Sequence, residues 1–288
     1  MSENSGTRAT LLVSCPDRTG LVAALASLLS DHGANILRAQ QHRESLNSMF
    51  FQRIEFDCAG LDISREELES LLGIECGRYD MEWKISYGDQ PKRVAIFVSK
   101  FEHCLSDLLL RLRIGELNCR VPVIISNHPE LKSIADANGI RFEVFPITKE
   151  NKQDQEQREI ELLNSLEIDL VVLARYMQIL SPTLIGAFSN RIINIHHSFL
   201  PAFVGAKPYH QAYERGVKLI GATAHFATTD LDEGPIIAQD VEACSHRDSA
   251  KDLVRKGRDV ERVVLARAVR AFMDDRILVN GRRSVVFE

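Results

Sequence analysis

The stretch Asn194-Ile195-His196-His197-Ser198-Phe199-Leu200-Pro201-Ala202-Phe203 sets a carboxamide and an imidazole on alternate positions, directly after Arg191-Ile192-Ile193. That β-branched run favours a buried strand, and Pro201 and Gly205 break regular structure beyond it. Side chains alternate faces along a strand, so Asn194 and His196 point one way while Ile193 and Ile195 point into the opposite layer. A neutral hydrogen-bond donor beside a group able to carry a proton is what stabilises the oxyanion of an attacked carbonyl. The competing reading makes the pair loop caps. A second stretch, His225-Phe226-Ala227-Thr228-Thr229-Asp230-Leu231-Asp232-Glu233-Gly234-Pro235, follows a strand-like run and carries acids into a turn closed by Gly-Pro. Alone, Asp232 is a turn former; in the same chain as the Asn/His pair it is the carboxylate that supplies a base beside the imidazole. Asn194, His196 and Asp232 are therefore the expected catalytic set. His225 shares a strand face with Thr223 and reads as a satisfied core or supporting histidine outside that set.

Other chemistries fit less well. His196, His197, His225 and Asp232 include metal-ligand types, but the chain has no His-Glu-x-x-His and no helix-spaced histidine pair, so no metal is expected. Residues 216–221 have the glycine spacing of a phosphate loop and continue Ala-Thr without its lysine, which excludes a nucleotide site there.

Strand and helix patterns must bring the two polar stretches together. The first part reads as a strand over 8–14, the turn Cys15-Pro16-Asp17-Arg18-Thr19-Gly20, and an apolar helix over 21–32 closed by Gly33. Strands over 36–42 and 49–56 follow, then a helix opened by the capping box Ser64-Arg65-Glu66-Glu67, and a strand over 81–86. This βαββαβ order is ferredoxin-like. The polar residues 87–92 mark a boundary, giving domains over 7–87 and 93–288 with a linker at 88–92. Beyond it, strands at 94–98, 121–126, 142–145 and 170–173 alternate with helices at 105–114, 131–138, 152–166 and after Ser181-Pro182. The Asn194/His196 strand, a helix at 209–215, strands at 221–227 and 236–242, a helix at 250–273 and a terminal hairpin turning at Asn280-Gly281 complete the chain. The class is α/β, with a largely parallel, Rossmann-like sheet whose sites form at the carboxyl ends of strands, where both polar stretches are expected to fall.

A chain of 288 residues suffices for two domains, each with its own core. A net charge of -5 gives no electrostatic footprint for nucleic acid. No apolar run approaches the ~20 residues that span a bilayer, and residues 1–8 lack the apolar core of a signal peptide, so no membrane partner and a cytoplasmic location are expected. The cysteines are scattered without a Cys-x-x-Cys pair and read as reduced thiols.

Asn-Ile-His-x-Ser-x-Leu-Pro at 194–201, with His-Phe at 225–226 and Asp-x-Gly-Pro at 232–235, closely resembles the folate-dependent formyltransferase family over roughly the last two thirds of the chain. The variant His197-Ser198-Phe199-Leu200-Pro201, continued by Gly205-Ala206-Lys207-Pro208-Tyr209, resembles the family's hydrolytic members. The resemblance implies that Met177, Gln178, Ile179 and Leu180 line a pterin pocket, with Thr228, Thr229 and Asp230 on its other wall. Gln178 replaces the arginine usual in the ribonucleotide enzymes, a change that a backbone contact tolerates. Those enzymes also cradle the acceptor phosphate in a glycine-rich loop after the first strand. Here the same place reads Ser99-Lys100-Phe101-Glu102-His103-Cys104-Leu105, with no glycine.

A chain with formyl-activating residues and no acceptor cradle is expected to hand the formyl group to water. The implied reaction converts 10-formyltetrahydrofolate to formate and tetrahydrofolate, supplying formate for purine synthesis and balancing the one-carbon pool. Asp232, assisted by His196, would activate water and pass protons to N10, while Asn194 and a protonated His196 hold the oxyanion; no cofactor is implied. Transfer to an amine acceptor, or a non-catalytic folate or amino-acid sensor, are the alternatives. In the first domain, Cys-Pro-Asp-Arg-Thr-Gly-Leu and Gly-Ala-Asn-Ile resemble the amino-acid-binding ACT domain. That resemblance implies an effector pocket for glycine or methionine, in which the turn carrying Asp17 and Gly20 faces Asn35, between paired domains of a homo-oligomer. Free amides at the start of the helix would attract the effector's carboxylate.

Overall fold

Leu21, Leu25 and Leu29 form one apolar stripe along α1 (Leu21–Asp31) and are buried, as are Leu68, Leu72 and Cys76 of α2 (Arg65–Arg78). Both stripes cover one face of a four-stranded antiparallel sheet with the order β2-β3-β1-β4, made of β1 (Arg8–Pro16), β2 (Asn35–Glu44), β3 (Met49–Asp57) and β4 (Glu82–Tyr87). Ser64 and Glu67 form the expected capping box at α2. Gly33 takes φ 78, and a Cβ there would stand 2.2 Å from the Gly60 carbonyl oxygen, so the chain needs glycine to turn into β2. The computed structural model describes residues 7–202 and 208–288.

The other face of this sheet exposes Leu12 and Phe51, and the C-terminal residues Leu278, Val285 and Phe287 pack on them. This corrects the expectation that the whole C-terminal part belongs to the second domain. One compact unit runs to Pro91 and includes Asp275–Leu278 and Val285–Glu288; the other comprises Lys92–Asp274 and Val279–Ser284. The physical reason is alternation: Leu11 and Val13 face the helices, so Leu12 faces away and requires apolar cover from elsewhere in the chain. The Arg53 guanidinium, on the same face, donates to the Asp275 carbonyl at 3.0 Å.

The second unit begins with β5 (Lys92–Val98), whose first residue falls inside the expected linker. It continues through α3 (His103–Arg113), β6 (Cys119–Ser126), α4 (Lys132–Ala137), β7 (Arg141–Val144), α5 (Lys152–Ser165), β8 (Leu170–Leu173), α6 (Pro182–Ala187) and β9 (Ile192–His196). Then come α7 (Pro208–Arg215), β10 (Leu219–Phe226), β11 (Ile236–Ala243), α8 (Ala250–Met273) and the strands β12 (Ile277–Asn280) and β13 (Arg283–Val286). The seven-stranded sheet has the order β11-β10-β9-β8-β5-β6-β7. Strands β7, β6, β5, β8 and β9 are mutually parallel, and chain order reverses between β5 and β8, which opens a crevice at their carboxyl ends. β10 and β11 run antiparallel. The carboxyl end of β10 therefore lies beside the start of β9, not beside its end as the sequence reading required. Among the described residues no helix is long and apolar enough to cross a membrane.

Candidate active site

Register assembles the polar face. His225 pairs with Asn194 and Thr223 with His196 across β10 and β9, so these side chains share one side of the sheet. Residues 227–235 then fold back over that side. Asp232 adopts φ 58, a left-handed conformation that aspartate tolerates, and a Cβ on Gly234 would stand 1.8 Å from the Phe226 carbonyl oxygen. That close approach brings Asp232 Oδ1 to 3.2 Å from His196 Nδ1 and 3.7 Å from His225 Nε2. Thr223 pins the segment after β9: its hydroxyl donates to Ser198 O at 2.9 Å and accepts the Leu200 N–H at 3.0 Å. Phe203 and the Gly205-Ala206-Lys207 motif lie outside the described residues.

The electrostatics follow from these contacts. Burial opposes ionisation of Asp232, yet His196 and His225 outweigh it and hold the carboxyl well below the usual range. The Phe226 carbonyl, 2.9 Å from His225 Nδ1, can only accept, so that nitrogen carries a hydrogen. Nε2 lies 3.2 Å from the Asn194 amide nitrogen, whose second N–H is left for the cavity. His196 Nε2 is buried and has no hydrogen-bond partner among the described residues. Burial, reinforced by the Arg175 guanidinium, lowers His197 to about 4 and keeps it neutral.

A cavity of about 650 Å³ is lined by Asn194, His196, His225 and Asp232. Met177, Gln178, Ile179, Leu180, Thr228 and Thr229 also line it; Asp230 does not, and its carbonyl accepts the Thr228 hydroxyl at 2.9 Å. Met177 and Ile179 are exposed in a wall suited to a flat apolar ring. Ser99 anchors this wall by accepting the Met177 N–H at 3.0 Å while donating to Asn127 Oδ1 at 2.7 Å.

The opposite wall holds groups that the sequence reading passed over. Glu261, on the buried face of α8, meets His103 Nε2 at 2.7 Å, accepts the Tyr209 hydroxyl at 2.6 Å and lies 3.4 Å from Arg175 Nε. A Cβ on Gly257 would fall 2.1 Å from the Tyr209 ring, so this helical glycine gives the tyrosine its room. His103, Cys104 and Glu261 are close enough to suggest a metal-ligand set. The carboxylate is already committed to His103 and Tyr209 beside a guanidinium, and burial raises the Cys104 thiol well above its ordinary value, so these donors do not suit a cation. The signal for Glu261 was an acid within the stripe Val260, Val264, Leu265 and Ala268; for His225 it was an antiparallel register that composition does not reveal.

In the first unit the expected effector residues do not meet. Asp17 and Gly20 follow the Pro16 end of β1, whereas Asn35 pairs with Asp57, which also pairs with Arg8 at the other end. Asp17 is engaged by Arg43. The expectation that the turn faces Asn35 is thus corrected within one chain: the two lie a strand's length apart.

A sheet of this order, with an amide, an imidazole and a carboxylate beside an apolar wall, defines a class, and the chain belongs to the formyl transferase family. Residues 92–269 match the family described as Formyl transferase, and residues 9–73 match the ACT domain. Over 279 residues the chain is 56% identical to a formyltetrahydrofolate deformylase of Synechocystis sp., covering 97% of this chain and 98% of that protein. It is similar to the crystal structure of a formyltetrahydrofolate deformylase from Pseudomonas syringae pv. tomato, with TM-score 0.96 and 44% identity over 98% of this chain and 95% of that one. A glycinamide ribonucleotide transformylase from Symbiobacterium toebii is similar over 69% of this chain and 95% of its own, with TM-score 0.64 and 33% identity.

Proposed function

We propose that the chain hydrolyses 10-formyltetrahydrofolate to formate and tetrahydrofolate. The observation that carries this is the convergence of Asn194, His196 and Asp232 on a cavity whose acceptor side is walled by His103, Tyr209 and Glu261 instead of a glycine-rich loop. The pterin lies on the Met177–Leu180 wall with Thr228 and Thr229 opposite. Both histidine contacts of Asp232 fall on Oδ1, so Oδ2 orients the attacking water. Because this carboxyl is held so far down, it is a weak base, and His196 Nε2 carries the proton between steps while Asp232 stabilises the imidazolium. Water oxygen bonds to the formyl carbon, and the free N–H of Asn194 holds the oxyanion. The C–N10 bond then breaks, N10 takes the proton from His196, and formic acid leaves as formate. Each proton-transfer and charge-stabilising role is filled by a side chain, so the chemistry requires no metal or cofactor.

The setting we propose is cytoplasmic, and the ACT domain supports regulation by a small amino acid such as glycine or methionine. With Asp17 and Asn35 apart in one chain, a pocket holding both needs a second copy, hence a homo-oligomer. Acceptor-free incubation with 10-formyltetrahydrofolate tests the activity: formate and tetrahydrofolate should form in equal amounts, and glycinamide ribonucleotide should neither bind nor speed consumption. Saturable transfer to that amine, or no formate without it, would overturn the assignment.

A further inference from the structure

The pterin wall is held from beneath by two buried acids. Helix α5 is charged over most of its surface, yet Glu156 and Glu159 lie on its apolar face with Ile160 and Leu163, at 2% and 0% exposure. Glu156 Oε1 accepts the Ser181 N–H at 3.1 Å, where the loop enters α6. The Tyr176 hydroxyl donates to Glu159 Oε1 at 3.4 Å, where the loop begins. Lys152, at the start of α5, donates to the Ile179 carbonyl and stands 3.9 Å from Glu156. The loop is therefore tied to α5 at both ends and in between. The second oxygens, Glu156 Oε2 and Glu159 Oε2, are buried without hydrogen-bond partners among the described residues.

Two ionised carboxylates one helical turn apart cannot rest that way, since each orphaned oxygen costs desolvation and the charges repel. A proton held on Glu159 removes one of the two charges and with it the repulsion. We propose that Glu159 is held protonated beside Glu156 and that both are positioning residues that hold residues 176–181 in the shape that receives the pterin. The second half of this rests on the folate reading above. Burial, added to by the Glu156 charge and opposed by the Tyr176 hydrogen bond, lifts Glu159 to about 8. The groups facing it are Glu156 and Tyr176, and burial keeps the Tyr176 hydroxyl neutral, so Glu159 is the member that titrates. Rising pH removes the Glu159 proton, places a second charge under the loop and loosens it.

The test follows KM and kcat for 10-formyltetrahydrofolate from pH 6 to about 9.5, with amide hydrogen exchange of residues 176–181 corrected for intrinsic rates, in the full chain. The wild type should show a flat KM to about pH 7.5, then a rise of about fivefold with kcat changing less than about twofold, and faster exchange over the same range. Glu159→Gln keeps a donor that does not titrate, so both readouts should stay at their neutral values. Glu156→Gln removes the neighbouring charge and should move both transitions to lower pH. Flat exchange in the wild type, or the same rise in Glu159→Gln, would overturn the proton on Glu159. Exchange that responds as expected while KM stays flat would support that proton and overturn the role of this loop in folate binding.

Discussion

The two regions that the sequence marks as chemical fold in opposite ways. In the second unit Asn194, His196 and Asp232 converge because β10 returns antiparallel to β9 and the loop after it doubles back. In the first unit Asp17 and Asn35 are closer in sequence than His196 and Asp232, yet β1 and β2 put them at opposite ends of the sheet. Motifs name the chemistry, but strand direction and register decide which groups meet. A site complete within one chain should fail sharply when one member is removed, whereas residues held apart should fail weakly or only through a second copy.

The sharpest break is therefore at Asp232 and His196. Asp232→Asn and His196→Ala should each lower kcat by about 10³ or more while folate affinity changes less than about fivefold, since both act in the transition state. Asn194→Ala should cost ~10²–10³, the usual loss of one oxyanion donor. Steady-state kinetics alongside equilibrium binding check both numbers; near-normal turnover in either of the first two variants would remove that residue from the mechanism.

A smaller effect contrasts the two units through their helical glycines. Ala is favoured over Gly inside a helix by roughly 0.8–1.0 kcal/mol, and nothing lies within 4 Å of a Cβ on Gly77 in α2. Gly77→Ala should raise the melting temperature slightly. Gly257→Ala drives a methyl into the Tyr209 ring and should destabilise by about 1–3 kcal/mol despite the same propensity gain. Equal shifts in thermal unfolding would mean that Tyr209 does not depend on Gly257.

Much of this was legible because it follows from local chemistry. The span 250–273 of α8, the capping box of Ser64 and Glu67 at α2 and the turn at Gly33 into β2 were all legible. What escaped was carried by pairing. Hydrophobic alternation is the same for parallel and antiparallel strands, so the reversal of β10 left no trace, and with it the contacts of His225 with Asn194 and Asp232. Glu156, Glu159 and Glu261 were hidden in charge-rich helices, where a buried acid looks like an exposed one until the facing elements are known. The C-terminal strands read as a hairpin, but their partner face on β1 and β3 is more than two hundred residues away.

The smallest expected effect lies in the first unit. Asp17→Ala and Asn35→Ala should leave basal formate release unchanged and weaken any response to glycine or methionine by about fivefold, the lower end of usual coupling. Mixing the two variants should restore part of the response if the pocket spans two copies. Titration of each amino acid against formate release checks this, and an unchanged response in both variants would leave these residues without an effector role.

The central claim is that water, activated by the His196–Asp232 couple, is the formyl acceptor. Single-turnover reaction with 10-formyltetrahydrofolate in ¹⁸O-water, without any amine, tests it most directly. Each formate released by the wild type should carry one ¹⁸O atom, and Asp232→Asn should release formate more slowly by about 10³ or more. Formate without the label, or labelled formate released at the same rate by both proteins, would contradict it.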